Sequence, residues 1–249
     1  SQHFVGNLNN VEQFDDVYLL GLLFGDGWIS FIKENKAVQY GFCFNELEED
    51  MMNFVEKKIN VISSGREIHW RRSSGGAKSF ELITSAKEIN DYFSKWGYTC
   101  EENEYGYIRG TRRSSKFISD SVLCETPSFK RGFISGLFAA DGHVVRVGKG
   151  STGIGKKITL TTSKKRIAEK LQIMLNEFGI PSSVGSRITK LNDKLFTGYT
   201  VNISRAISCN AFKELIGVGH SEKSYRLKNY VFGTKWCEKG YGVFKVKYI

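Results

Sequence analysis

Two aspartates, Asp26 and Asp141, end two similar apolar segments, and this pairing is the feature of the sequence best suited to chemistry. The segments read LLGLLFGDG at residues 19–27 and ISGLFAADG at residues 134–142. A carboxylate at the C-terminal end of a helix is disfavoured by the helix macrodipole, and two such carboxylates close together are disfavoured further. A bound divalent cation relieves both costs, so the pattern predicts a metal site between two helix ends.

Small residues recur four positions apart in each segment, Gly21 with Gly25 and Gly136 with Ala140. Positions i and i+4 share one helix face, so each segment predicts a helix with a flat strip that another helix backbone can approach. The glycine after each aspartate predicts a left-handed C-cap that ends the helix. One copy alone is equally typical of an ordinary core helix that ends in an Asp-Gly turn. Two copies, each introducing a half-chain of similar composition, favour a shared role.

The charge of the chain indicates a polyanionic partner. Its 249 residues include 36 Lys and Arg against 26 Asp and Glu, which gives a net charge of +10. Nucleic acid is the first expectation and an anionic membrane surface the second. A basic, solvated surface is the simpler alternative. The length allows one large domain or two small ones.

The cysteines and histidines form no metal-binding or disulfide pattern. No C-x-x-C pair occurs, and no histidine has a Cys or Asp partner at zinc spacing. This argues against a zinc knuckle, a histidine-metal nuclease or a disulfide framework, and favours a reducing compartment. No apolar run reaches transmembrane length and the start lacks a signal-peptide core, so we expect an intracellular protein.

Hydrophobic periodicity predicts the same order of elements in each half: a helix, two strands, a helix, two strands and a helix. In the first half these are a helix at 17–24 capped by Asp15 and Asp16, strands at 28–32 and 38–44, a helix at 46–60 with Leu47 on its buried side, strands at 66–72 and 78–84, and a helix at 87–96. In the second half the apolar helix is followed by strands at 143–147 and 157–162, a helix at 164–178, strands at 183–189 and 196–203, and a helix at 211–216. The repeat predicts two similar α+β halves, residues 1–115 and 116–249.

The two apolar segments, in the forms GLLFGDGW at 21–28 and GFISGLFAADGHV at 132–144, resemble the signature of the LAGLIDADG homing endonucleases. They look most like the dodecapeptide type found in inteins. The resemblance implies an α+β fold with two pseudo-symmetric αββαββα half-domains, in which two antiparallel sheets form a DNA-binding saddle around a central pair of helices. The chain ends in VKYI rather than the His-Asn of a splicing junction, so we expect no self-splicing.

The same resemblance implies a monomeric, site-specific endonuclease that makes a metal-dependent double-strand break in a long asymmetric DNA target and leaves short 3′ overhangs. The alternative is a non-catalytic nucleic-acid-binding protein, a maturase or a regulator, on the same scaffold. Retention of both Asp26 and Asp141 favours the enzyme, because a pure binder does not need two mutually repelling carboxylates.

The expected metal ligands are Asp26 and Asp141, with the backbone carbonyls of Gly25 and Ala140 beside them. This all-oxygen set suits Mg²⁺, or another divalent cation such as Mn²⁺. Intein-type members also carry a lysine in a K-x-I-P-like segment before the second signature, and a counterpart late in the second half. Here these correspond to Lys116, in KFIS at 116–119, and to Lys223, in GHSEK at 219–223. The alternative for both is an ordinary surface lysine.

Polar side chains on the more open strand faces are the expected DNA contacts, because a two-stranded ribbon fits the major groove. We expect Arg71, Arg187 and Gln39 to be the foremost of these. The others are His69, Arg146, Lys157 and Asn202. The loops at 73–77 and 148–155, which are small and flanked by lysine, are expected to adjust to the duplex. The alternative is a solvated sheet face with phosphate contacts only.

Overall fold

Each half of the chain folds as a helix followed by two strands, a helix and two more strands. The computed structural model describes residues 11–32, 37–64, 68–72, 78–96, 98, 101–102, 108–109, 118–146, 155–191, 193–219, 221–229 and 232. The first half contains α1 (Val11–Asp26), β1 (Gly27–Ile32), β2 (Ala37–Asn45), α2 (Glu49–Ile62), β3 (Arg71–Arg72), β4 (Ser79–Thr84), α3 (Lys87–Ser94), β5 (Glu101–Glu102) and β6 (Ile108–Arg109). The second contains α4 (Asp120–Cys124), α5 (Pro127–Asp141), β7 (Gly142–Arg146), β8 (Gly155–Thr162), α6 (Lys165–Glu177), β9 (Ser183–Leu191), β10 (Lys194–Ile203), α7 (Ala206–Leu215) and α8 (Ser221–Asn229).

Two four-stranded antiparallel sheets have matching strand orders, β1-β2-β4-β3 and β7-β8-β10-β9. Their registers also correspond, since Gly27 pairs with Phe42 in the first sheet and Gly142 pairs with Leu160 in the second. The predicted α+β class with two pseudo-symmetric halves is therefore confirmed.

Each sheet has a core face and an open face. In β2, Tyr40, Phe42 and Phe44 are buried, and they alternate with residues on the other side of the strand. The side chains that α2, α3, α6 and α7 bury belong to the same core cluster as these strand residues. The opposite, open face carries the alternate strand positions, which include Gln39 and Arg71, because side chains alternate across a sheet.

Helices α1 and α5 cross at the centre, with backbone packed against backbone. A Cβ atom on Gly21 would lie 2.3 Å from the carbonyl oxygen of Phe133, and one on Gly136 would lie 2.1 Å from that of Tyr18. These distances are too short for any side chain, so the two glycines are what permits the crossing. The predicted pair of helices with small-residue strips is present.

The glycines after the two aspartates have a different role from the one predicted. Gly142 has φ −73°, and Gly27 is not among the glycines with positive φ, so the left-handed C-cap is wrong. A Cβ atom would instead lie 2.4 Å from the carbonyl oxygen of Leu23 at Gly27, and 2.4 Å from that of Phe138 at Gly142. Glycine is therefore required because each strand starts directly against the last turn of its helix.

Several predicted boundaries were wrong in the first half. Helix α1 begins at Val11, so Asp15 and Asp16 lie inside the helix, where they pair with Lys58 at 3.5 and 3.4 Å rather than forming a cap. Leu47 is 83% exposed because α2 begins only at Glu49. Of the strand predicted at 66–72, the described residues form only β3 at its end.

Four short elements were not predicted, namely helices α4 and α8 and the paired strands β5 and β6. Helix α7 begins five residues earlier than expected. Among the described residues, no helix is both long and apolar enough to cross a membrane.

Candidate functional site

The two predicted aspartates lie at the ends of the central helices. Asp26 is the last residue of α1 and is half-buried, and Asp141 is the last residue of α5 and is exposed. A Cβ atom on Gly25 would lie 2.2 Å from the Cβ atom of Ala140, so the two helices are in contact one residue before the aspartates. Both carboxylates consequently face one cavity of about 450 Å³.

The second half supplies another wall of this cavity. Thr161 and Thr162 at the end of β8, followed by Ser163 and Lys164, line it together with the aspartates. Lys164 precedes the first residue of α6. In the first half, the position that corresponds to Lys164 by strand register is Glu46, which pairs with Lys78 at 3.0 Å. The surroundings of the two carboxylates therefore differ in charge between the halves.

Lys223, on α8, reaches the C-terminal end of α5. Its Nζ donates to the carbonyl oxygens of Ala139 and Ala140 at 2.5 and 2.6 Å. Burial lowers the pKa of Lys223, and the nearby carboxylates of Asp26 and Asp141, among others, oppose that shift. The ammonium group thus lies among the carbonyls of the last helical turn and close to both predicted metal ligands.

Gly219 allows this placement of Lys223. A Cβ atom on Gly219 would lie 2.7 Å from the Oη of Tyr18. Tyr18 is buried in α1, where its ring also packs edge-on against Phe54. The segment before α8 is therefore packed directly on α1, which sets the position from which Lys223 extends.

The residues present fit a hard divalent cation. The available donors are the carboxylates of Asp26 and Asp141 and the carbonyl oxygens of the last helical turns, including Gly25 and Ala140, and Mg²⁺ prefers oxygen ligands of this kind. The carbonyl of Ala140 already accepts from Lys223, but a carbonyl oxygen has two lone pairs. Within the described residues, no group of three or more His, Cys, Asp or Glu side chains is placed to bind a metal. Carbonyls and water would thus have to complete the coordination.

The first open face carries two of the predicted DNA contacts. Gln39 lies in β2 opposite Ser30 of β1. Arg71 lies in β3 opposite Glu81, with its guanidinium 4.0 Å from that carboxylate. The side chain of Arg71 is 66% exposed, so it remains available to a partner.

The second open face carries three more. Lys157 lies in β8 opposite Val145, and Asn202 lies in β10, where its amide donates to the carbonyl of Thr200 at 3.1 Å. Arg187 is exposed in β9 opposite Gly198. Arg146 ends β7.

The structure places His69 elsewhere. Its Nδ1 lies 2.9 Å from Glu56 of α2, a helix that packs on the core face. This contact links His69 to the helix layer, and 66% of its side chain remains exposed. Lys116 and the loops at 73–77 and 148–154 lie outside the described residues.

Sequence reasoning missed the wall formed by Thr162, Ser163 and Lys164. These residues could have been found from the matching strand registers of the two halves. Because β8 ends at Thr162, the residues that follow it lie next to the C-terminal ends of α1 and α5. It also missed Glu81, which directly faces Arg71 and was read only as part of a strand.

Comparison with known proteins identifies part of the chain directly. Residues 128–217 match the family model described as a LAGLIDADG-like domain. The chain is 27% identical over 227 residues to the replication factor C small subunit of Methanocaldococcus jannaschii, and 27% identical over 210 residues to the tRNA-splicing ligase RtcB of Pyrococcus abyssi. Each alignment covers 80% of this chain, but the chain spans only 11% and 21% of these two relatives.

Solved structures show the same fold over both halves. The homing endonuclease I-DmoI matches with a TM-score of 0.56 at 17% identity, over 82% of this chain and 96% of that one. The homing endonuclease I-WcaI, bound to its DNA recognition sequence, matches with a TM-score of 0.55 at 21% identity, over 89% and 88%. The second half therefore contains a LAGLIDADG-like domain, and both halves have the fold of the LAGLIDADG homing endonucleases.

Proposed function

We propose that the chain is a site-specific DNA endonuclease that makes a metal-dependent double-strand break in a long, asymmetric target. The observation that carries this proposal is the convergence of Asp26 and Asp141 on one cavity, with Lys223 close to both. Two like charges held together reduce stability. A protein that only binds nucleic acid gains nothing from that arrangement, whereas a metal-dependent nuclease requires it.

The catalytic roles follow from the geometry of the site. Asp26 and Asp141 would hold Mg²⁺ or Mn²⁺, with the carbonyls of Gly25 and Ala140 as further ligands. Such a cation, when bound, supplies the charge that stabilises negative charge developing on the phosphate oxygens. Lys223 adds a fixed positive charge in a buried place, where it acts more strongly than it would in water. We assign the corresponding role to Lys116, the lysine that precedes the second signature.

The open faces of the two sheets are the proposed DNA-binding surfaces, one in each half-domain (residues 1–115 and 116–249). Solved structures of I-DmoI with DNA and Mn, and of I-WcaI with its recognition sequence, support this use of the fold. The net charge of +10 favours a polyanion. The proposed contacts are Gln39, Arg71, Arg146, Lys157, Arg187 and Asn202. Because the halves differ in sequence, one chain acting as a monomer would read an asymmetric site.

We further propose that the chain is of the intein-associated type. Its alignments cover 80% or more of its own length, but only 11% to 21% of three relatives whose names describe unrelated activities. An inserted endonuclease shared among unrelated hosts accounts for this pattern. Sequencing the gene around this chain tests the proposal: splicing motifs on both sides are expected, and an isolated reading frame would contradict it.

The central test is cleavage of a randomised duplex library in Mg²⁺ and, separately, in EDTA. We expect a defined set of cut sequences in Mg²⁺ and none in EDTA, because the carboxylates need the cation. Asp26→Asn and Asp141→Asn should each abolish double-strand cleavage, with binding retained because the amide is isosteric with the carboxylate. Asp91→Asn, at an exposed position on α3, is the matched control and should cleave normally.

Two outcomes would overturn the assignment. Unchanged cleavage by either Asn variant would remove the aspartates from the chemistry. Selective binding by the unaltered protein, without cleavage in Mg²⁺ or Mn²⁺, would make it a non-catalytic DNA-binding protein.

A further inference from the structure

Phe196 is an aromatic side chain on the open face of the second sheet. Val201 and Ile203 of β10 are buried, so the alternate positions 202, 200, 198 and 196 lie on the open face. Phe196 is 51% exposed. An exposed phenyl ring on a polar surface leaves apolar area in water, which a partner could cover.

On the side of Arg187, the neighbours of Phe196 on this face are polar or lack a side chain. Phe196 pairs with Thr189, and the next residue of β10 on the same face is Gly198, which pairs with Arg187. Because Gly198 has no side chain, nothing on β10 separates the ring of Phe196 from the guanidinium of Arg187 on the neighbouring strand. Phe196 and Arg187 are diagonal neighbours that present an apolar and a charged group side by side.

On the corresponding face of the first sheet, the aromatic residue Trp28 packs against its own sheet. A Cβ atom on Gly41 would lie 2.1 Å from the indole of Trp28, so Trp28 lies flat on its own sheet and is half-buried. Among the hairpin residues whose exposure the structure describes, Ile188 and Leu195 are the other exposed large apolar residues, and they belong to the core face by strand alternation. They cannot contact the same partner surface as Phe196.

We propose that Phe196 is a specificity-determining residue that contacts the 5-methyl group of a thymine, next to a guanine read by Arg187. This inference rests on the proposed DNA-binding function. In the major groove the thymine methyl is the apolar group that a phenylalanine can recognise, and arginine pairs bidentately with guanine. Diagonal neighbours in a sheet are about 7–8 Å apart. Successive bases of one strand rise about 3.4 Å, so the two base pairs lie about two steps apart.

The test removes the methyl group without changing base pairing. A duplex is chosen from the library population that the unaltered protein selects, and each thymine in turn is replaced by deoxyuridine. Dissociation constants are measured by fluorescence anisotropy in EDTA, for the unaltered protein and for Phe196→Ala. Leu195→Ala, one residue away on the opposite face, is the matched control.

For the unaltered protein we expect one thymine whose replacement weakens binding about fourfold, the factor that corresponds to burial of one methyl group. Phe196→Ala should bind the thymine and deoxyuridine duplexes equally at that position. Leu195→Ala should keep the fourfold difference. Arg187→Ala should relax selection for a guanine about two base pairs from that thymine.

A methyl effect that persists in Phe196→Ala, or the absence of any methyl effect in the unaltered protein, would overturn the inference while leaving the endonuclease proposal intact. Failure of the unaltered protein to select any duplex would overturn both.

Discussion

The ammonium group of Lys223 lies at the C-terminal end of α5, where several negatively charged or partially negative groups are close together. The last-turn carbonyls, Asp141 and the neighbouring Asp26 all present negative charge there, and Lys223 donates to two of the carbonyls. A positive charge at a helix C-terminus is stabilising in itself. Its closeness to both carboxylates is the basis of the role we propose for it in stabilising charge on the scissile phosphate.

Replacing this charge should affect chemistry more than binding. Lys223→Met keeps the length of the side chain and removes the ammonium group, so we expect single-turnover cleavage to slow by about 100-fold, a loss typical of removing one electrostatic stabiliser. The dissociation constant for the same duplex should change little, because one contact among many is lost. Lys228→Met, at an exposed position on the same helix, is the control. Equal rates for Lys223→Met and the unaltered protein would exclude Lys223 from the reaction.

At the scale of single residues, the sequence identified the groups that are marked by a repeated motif. Asp26 and Asp141 could be predicted because the same unfavourable combination occurs twice. Lys164 was missed because its closeness to the carboxylates depends on how β8 is placed against the helix ends, which sequence periodicity does not reveal. The contact of His69 with Glu56 could not be predicted, because strand alternation does not reveal a partner on another element.

At the scale of elements, the crossing of α1 and α5 depends on Gly21 and Gly136. Replacing either glycine by alanine should destabilise the protein, which is the opposite of the usual effect in a helix interior. Alanine normally stabilises a helix interior by about 1 kcal/mol relative to glycine. At Gly21 and Gly136 the added methyl would meet backbone carbonyl oxygens at 2.3 and 2.1 Å. The helices would have to separate.

We therefore expect Gly21→Ala and Gly136→Ala each to lower the free energy of unfolding by about 1–3 kcal/mol, the usual cost of overpacking. Urea denaturation followed by circular dichroism measures this. Gly185→Ala is the control, because its nearest heavy atom would lie 3.7 Å away. A stability gain at Gly21 or Gly136 would mean that the helices do not cross as described.

The elements that could be predicted are those with strong periodicity. Helix α6 and strand β2 were found nearly to their ends, because their buried residues recur at helical and strand spacing. Helix α4 has only five residues and α8 is largely polar, so their sequences lack such a pattern. Tertiary contacts, such as the packing of Gly219 on Tyr18, determine where α8 lies.

At the scale of the whole molecule, two related helices begin with opposite charge. Helix α2 begins with Glu49 and Asp50. The N-cap residue of α6 is Lys164, its first turn contains Lys165 and Arg166, and it has no acidic residue there. We therefore expect a phosphate backbone to be bound more strongly by the second half than by the first.

Hydroxyl-radical footprinting at increasing salt should reveal this difference. Each phosphate contact contributes about one unit to the dependence of log K on log salt. The half of the target under the second sheet should consequently stay protected after the other half is lost. In the double variant Lys164→Gln and Arg166→Gln, both halves of the target should lose protection at similar salt concentrations. The half-site whose protection changes between the two proteins is the one bound by the second sheet. Simultaneous loss in the unaltered protein would contradict the prediction.

The contact between Gly25 and Ala140 has a consequence for redesign of the protein. Because the central helices touch at this point through main-chain atoms and the single methyl group of Ala140, a larger side chain there would force the helices apart rather than leave the site intact with a new spacing between the two aspartates. Changes on the outer strands would alter which sequence is recognised, but the number of nucleotides between the two broken bonds would stay constant. Fragments produced at different redesigned targets would carry single-stranded ends of equal length.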